Sequence, residues 1–71
     1  MKFHYYPETD SLYIDLVDRP GVESREVAAG VVLDFDAEDR LVGIDIDNAS
    51  KVVDLGKIEA EELPLGKLAV G

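Results

Sequence analysis

The sequence predicts an α+β, mostly β domain: an antiparallel meander of four to six strands with one short helical turn after the last main strand. Three observations predict it. Gly30-Val-Val-Leu-Asp-Phe-Asp-Ala-Glu-Asp-Arg-Leu-Val-Gly-Ile-Asp-Ile-Asp47 alternates with period two on either side of a short acidic turn, the pattern of a half-buried hairpin. Two shorter alternating runs precede it, parted by Pro7-Glu-Thr-Asp10. After Asp47 the period changes, and Asp or Asn stands where a helix would begin.

The elements follow in order. Lys2-Phe-His-Tyr-Tyr6 places Phe3 and Tyr5 on one face and His4 and Tyr6 on the other, and its aromatic residues favour a strand. Ser11-Leu-Tyr-Ile-Asp-Leu-Val17 is the second strand and should form the first hairpin with it. Asp18-Arg-Pro-Gly21 is the strongest breaker in the chain. Val22 to Ala28 alternates weakly and is densely charged, as an edge strand that resists aggregation would be. In the central hairpin, Val31, Leu33 and Phe35 share a face, as do Val42, Ile44 and Ile46, and Gly43 marks a bulge or a close approach. Asp47 or Asn48 should cap a short helix with Gly56 as its C′ residue, docked through Val52 or Val53 and Leu55. The tail, residues 57–71, mixes strand and helix signals and is interrupted by Pro64 and Gly66. The expected core is Phe3, Tyr5, Leu12, Ile14, Leu16, Val31, Leu33, Phe35, Val42, Ile44 and Ile46.

Seventy-one residues make one domain, 1–71, with a narrow margin of stability. Burial contributes about 100 kcal/mol at ~25 cal/mol/Å², and ordering the chain costs about the same at ~1.5 kcal/mol per residue. There is no Cys, so neither a disulfide nor a thiolate metal site can add to it, and a partner surface becomes the leading staple. Tyr13, Val32 and Leu41 on the second face, with Leu65, Leu68 and Val70 in the tail, are the interface candidates, and a homodimer is expected.

Sixteen acidic residues stand against seven basic ones, for a net charge of −9. Lys51, Lys57 and Lys67 are scattered and form no basic stripe, so neither nucleic acid nor an anionic membrane is an expected partner. A basic protein fits the charge better, and the same charge also keeps a small domain in solution. No apolar segment follows Met1-Lys2, and no apolar run approaches the ~20 residues of a spanning helix, so a cytoplasmic protein is expected.

The sequence resembles a small prokaryotic family known as domain of unknown function 2283. Tyr5-Tyr-Pro-Glu-Thr-Asp-Ser-Leu-Tyr-Ile14, Gly30-Val-Val-Leu-Asp-Phe-Asp36 and Leu41-Val-Gly-Ile-Asp-Ile-Asp-Asn-Ala-Ser50 carry the resemblance through their order and spacing. The family commonly has Glu where this chain has Asp45, which keeps the charge and shortens the reach. The resemblance implies a compact β-rich domain with no established catalytic residue to carry over. Genes of such proteins can neighbour genes of small toxin-like proteins, which implies an antitoxin role.

The chemistry-bearing residues point away from a conventional active site. Asp34, Asp36 and Glu38 alternate as in an EF-hand loop, but Asp39 takes the place of its Gly, Asp45 that of its bidentate Glu, and the flanks are strands. His4 has only hydroxyls and turn carboxylates nearby in sequence. No serine sits in a nucleophile elbow, and the six glycines are too far apart to cradle a phosphate. The function read from the chain is therefore a non-enzymatic protein-interaction module without cofactor; its concrete form, one that neutralises a basic toxin-like partner, is what the resemblance implies together with the acidic charge. The alternative is a small metal-dependent hydrolase with an acidic site at Asp34, Asp36 and Asp45, assembled across a dimer.

Overall fold

The structure, a computed structural model, describes residues 1–64. Five strands, β1 (Lys2–Tyr6), β2 (Ser11–Asp15), β3 (Glu23–Ala28), β4 (Val31–Phe35) and β5 (Leu41–Ile46), precede one helical turn, α1 (Ala49–Val52). They form a single antiparallel sheet in the order β1-β2-β5-β4-β3. Two meanders, β1–β2 and β3–β4–β5, are thus joined by a link over residues 16–22 that crosses the ends of β5 and β4. Strands β2 to β5 have the Greek-key order. Backbone bonds hold the link: Leu16 N–H donates to Val42 O at 2.9 Å, and Val22 N–H to Phe35 O at 2.8 Å. The charged segment after Gly21 is an edge strand, as its sequence predicts.

The turns follow from residue chemistry. Pro7 pre-sets the turn after Tyr6, in which Thr9 N–H donates to Tyr6 O at 3.3 Å, and Asp10 closes it with φ 53°. The β4–β5 turn repeats the arrangement: Asp39 N–H reaches Asp36 O at 3.1 Å, with Asp39 itself at φ 62°. Aspartate tolerates this left-handed region because its short side chain bonds locally. Between β3 and β4 the left-handed position is taken by Gly30, φ 74°.

Register places the apolar residues in two rows on one face. Tyr5, Leu12, Ile46 and Val31 lie side by side across four strands, and Phe3, Ile14, Ile44 and Leu33 form the next row. Leu12, Ile46 and Ala49 are the buried cluster, with Ile14, Ile44 and Val53 packed around it. The expected core is narrower in the fold. Among the named residues only Leu12, Val42 and Ile46 are buried; Phe3 is 47 % and Tyr5 45 % exposed. The physical reason is that β1 is a sheet edge and that, among the described residues, only one turn of helix and the short segment after it lie over this face, leaving Phe3 and Tyr5 partly in water. The second strand ends at Asp15, and Leu16 lies half-buried beyond it.

Two sequence expectations about the helix are corrected. Asn48 sits at the N-cap in the left-handed region, φ 52°, and makes no side-chain cap bond. Asp10 caps the turn from the first hairpin instead: its carbonyl accepts from Ala49 N–H at 2.8 Å, and its Oδ1 accepts from Ser50 N–H at 3.1 Å. Gly56 is not the C′ residue. The helix ends at an extended Val53, and the Gly56 N–H turns to Asp54 Oδ1 at 3.1 Å.

Candidate interaction surface

The two ends of the sheet are each fastened by an aspartate. At one end Asp10 accepts from the Tyr5 hydroxyl at 2.8 Å and the Ser50 hydroxyl at 2.7 Å. These bonds, the Ser50 one first, hold the Asp10 carboxyl below its ordinary pKa. At the other end Asp36, the buried charged side chain, accepts from the backbone N–H of Glu38 and of Arg40, each at 2.9 Å. Its Oδ2 also receives Arg40 Nε and Arg19 Nε, both at 3.0 Å. The Arg40 backbone bond leads in holding its pKa down. Arg19 belongs to the crossing link, so this cluster fixes the link to the β4–β5 turn.

The polar face centres on Tyr13. Its neighbours across the strands are His4 and Asp45, and Val32 follows Asp45 in the same row. Tyr13 leans over Gly43 and donates to Asp34 Oδ2 at 3.0 Å, while the Ser24 hydroxyl donates to Asp34 Oδ1 at 2.6 Å. A methyl group on residue 43 would strike the Tyr13 hydroxyl and stand 2.6 Å from its ring carbon Cζ. Gly43 is therefore glycine because the Tyr13 side chain, and not another backbone, lies across it. Burial, with the Asp34 hydrogen bond next, pushes the Tyr13 phenol up to about 12. Burial and then the charges of Asp47 and Asp34 push the Asp45 carboxyl up.

The sequence-predicted acidic site does not assemble as a unit. Asp34 and Asp45 share the polar face on adjacent strands, but Asp36 lies past the end of β4, committed to two arginines and two backbone amides. Among the described residues no three His, Cys, Asp or Glu side chains are grouped to hold a metal ion. His4 is exposed and stacks on Tyr6 at 6.5 Å between ring centroids.

The interface candidates also part company. Tyr13 and Val32 are on the polar face with Asp45 between them. Leu41 is not on that face. The register between β4 and β5 shifts at Asp34/Phe35, so that Asp34 pairs with Gly43 but Phe35 pairs with Leu41. The extra residue, Val42, makes a bulge that turns Leu41 to the apolar face beside Phe35. Leu65 and Leu68, with Val70, lie outside the described residues.

The apolar face has two halves. Over β1 and β2 it is roofed by residues 53–59, which leave an apolar groove of about 640 Å³. Phe3, Tyr5, Leu12 and Ile14 form its floor, Leu55 and Ile58 its roof, and Asp54, Lys57 and Glu59 its charged margin. Lys57 is paired with Glu59 at 3.0 Å. The other half lies over β4 and β3. At that margin Arg25 lies 3.8 Å above the Phe35 ring and pairs with Glu23 and Asp39. Alternation points to the groove's floor, and Val53 and Leu55 dock as their sequence leads one to expect; Ile58, from a segment of mixed signal, carries no pattern that foretells its place.

Among the described residues no helix is long and apolar enough to cross a membrane. Neither the curated proteins nor the solved structures contain a match to this chain. A family model does match, described as a protein of unknown function (DUF2283), and it covers residues 2–50, from the start of β1 into α1. That match spans more than half of the chain, which therefore belongs to the domain of unknown function 2283 family.

Proposed function

We propose that the domain is a non-enzymatic protein-binding module whose working site is the groove between β1–β2 and residues 53–59. The observation that carries this reading is exposure: Phe3, Tyr5, Leu55 and Ile58 line one apolar groove and are 47 %, 45 %, 37 % and 75 % exposed. Side chains of this kind remain in water at a cost of roughly 25 cal/mol per Å² of apolar surface, which a partner's apolar residues recover on docking. The partner's chemistry follows from the charge. A chain of net charge −9 steers a basic protein toward it and repels an acidic one. A small basic toxin-like protein, neutralised by having its apolar ridge covered, is the concrete form of the reading.

The test uses isotopically labelled full-length protein and two synthetic peptides, one alternating leucine with lysine, the other leucine with glutamate. The lysine peptide should shift amide signals of Phe3, Tyr5, Leu55 and Ile58, weaken as salt rises, and lose those shifts in Phe3→Lys. Equal binding of both peptides, or shifts confined to the Tyr13 face, would overturn the reading.

A further inference from the structure

We infer that residues 48–59 are a flap over the groove, hinged after Asp47 and latched by Asp10, which opens as a unit to admit the partner's apolar side chains. The inference rests on the groove being the binding site and adds how access to it is governed.

Hydrogen bonding defines the flap. Asp47 N–H still donates to Gly30 O, in the turn between β3 and β4, at 2.8 Å. After Asp47, and among the described residues, every hydrogen bond from residues 48–59 to the rest of the chain ends on Asp10. Its carbonyl takes Ala49 N–H, and its carboxylate takes the N–H and the hydroxyl of Ser50. The other polar contacts of the segment are internal: Lys51 N–H to Asn48 O, Val53 N–H to Ala49 O, Gly56 N–H to Asp54 Oδ1, and Lys57 to Glu59. Asn48, held at φ 52° between the last sheet bond and the helical turn, is the hinge.

The rest of the anchorage is apolar and fades along the segment. Ala49 is fully buried and Val53 packs against the same cluster, but Leu55 is 37 % and Ile58 75 % exposed. Four helical residues cannot hold their own conformation without docking. A unit with few buried contacts and one polar tie opens locally, well before the sheet unfolds. The latch also touches the groove floor. Asp10 Oδ1 accepts both the Tyr5 hydroxyl at 2.8 Å and the Ser50 N–H at 3.1 Å. A partner side chain that displaces Tyr5 therefore disturbs the tie that holds the roof.

Amide hydrogen exchange of the full chain, read by NMR, tests the flap without any ligand. Val53 is the decisive reporter, because its N–H bonds to Ala49 O and has no direct contact with Asp10. Ile14 and Ile44, paired across the centre of the sheet, report global unfolding. Asp10→Gly removes the carboxylate and keeps the carbonyl and the φ 53° backbone without strain. It should speed exchange at Val53 about tenfold or more beyond any change at Ile14 and Ile44. Ser50→Ala, which removes one bond of the latch and strains nothing, should speed Val53 in the same sense by a smaller factor. Changes at Val53 that only match those at Ile14 and Ile44 in both variants overturn the flap, and so does a wild-type Val53 that exchanges as fast as an unstructured chain. Titration with the leucine–lysine peptide tests the gating. Releasing the latch raises the open fraction, so Asp10→Gly should bind about threefold tighter or better, and unchanged or weaker binding overturns an opening that admits the partner. If the peptide moves no groove signal in wild type or variant, the groove reading fails while the exchange rates still decide the flap.

Discussion

The two faces of the sheet use the same residue type to opposite ends. Each carries a tyrosine that donates to an aspartate. Tyr5, on the apolar face at the β1 edge, reaches Asp10 at 2.8 Å and remains 45 % exposed. Tyr13, on the polar face over the middle of the sheet, reaches Asp34 at 3.0 Å and is half-buried. Both phenols are raised in pKa, Tyr5 chiefly by its Asp10 bond, Tyr13 chiefly by burial and as far as about 12. Over the middle of the polar face Tyr13 lies as a lid over Gly43, while His4 and Tyr6 at the β1 edge stay exposed. The apolar face is left open, its large residues half in water. Apolar side chains left half in water are where binding free energy is available.

The contrast is broken most severely from the apolar side. Ile46 is 8 % exposed and central to the buried cluster. Ile46→Ala should cost about 2–5 kcal/mol, as buried aliphatic truncations do. Val32→Ala, half-buried on the polar face, should cost clearly less. Urea midpoints at equal slope compare them, and equal losses would mean that the polar face carries as much of the packing as the apolar one.

Next in size is the closure of the polar face. Gly43→Ala forces Tyr13 off its seat and should cost about 1–3 kcal/mol, the usual range for overpacking. In a Tyr13→Val background the same change should cost much less, and the non-additivity of this cycle measures the lid. The displaced phenol should also titrate nearer 10. The sign for stability is that of a raised pKa: the Tyr13 contribution is complete below pH 10 and is lost as pH rises through about 12. Ultraviolet titration of the tyrosines checks both statements.

How much of this was legible in the sequence depends on distance along the chain. Alternation placed the strands, and both turn aspartates lay where turn chemistry put them, because these depend on neighbours. The face of Leu41 was not legible. One bulged residue reverses everything on its far side, and nothing in Leu41-Val-Gly43 announces which residue is extra. The parting of Asp36 from Asp34 and Asp45 was hidden for a similar reason. Strict alternation puts 34 and 36 together, but the turn begins at Asp36, and one of the two arginines that fasten it lies 17 residues earlier. The helix cap was the longest reach: Asp10 and Ser50 are 40 residues apart, and Asp47 and Asn48 stood nearer to hand. The groove's floor came from the strand pattern and Val53 and Leu55 from the expected docking, whereas the place of Ile58, in a segment of mixed signal, was not legible.

A smaller effect separates the polar-face acid Asp45 from the turn acid Asp36. Asp45 is pushed up by burial and by Asp47 and Asp34, so its ionised form is disfavoured in the fold. A raised carboxyl favours the folded state at pH values below its unfolded pKa, and that advantage is lost as pH rises through the folded one. At pH 7 Asp45→Asn should therefore stabilise, by roughly 0.5 kcal/mol given the screening at a half-buried site, and the gain should vanish near pH 3. Asp36 behaves oppositely: its lowered pKa supports the fold at neutral pH and that support is lost as pH falls below the ordinary carboxylate range. Asp36→Asn should destabilise at pH 7. Thermal unfolding of both variants across pH 3 to 7 would reveal any error of sign.

The smallest change is expected three residues after Asp36, in the same turn. Asp39 sits at φ 62°, where asparagine is accepted as readily as aspartate, so Asp39→Asn adds no backbone strain. What it removes is the ion pair with Arg25, whose partners are 45 % and 70 % exposed. Exposed pairs contribute between about 0 and 1 kcal/mol, and Arg25 keeps both Glu23 and the Phe35 ring. The net change should stay within about 0.5 kcal/mol in either direction. Asp39 and Asp10 thus share a backbone conformation and differ in consequence, since only Asp10 caps a helix. Asp10→Asn keeps one acceptor oxygen but loses the charge and leaves an amide facing the Ser50 N–H or hydroxyl, so it should lower the urea midpoint more than Asp39→Asn does. Should the Asp39 change prove the more harmful, the β4–β5 turn and not the α1 cap would be the tighter of the sheet's two ends.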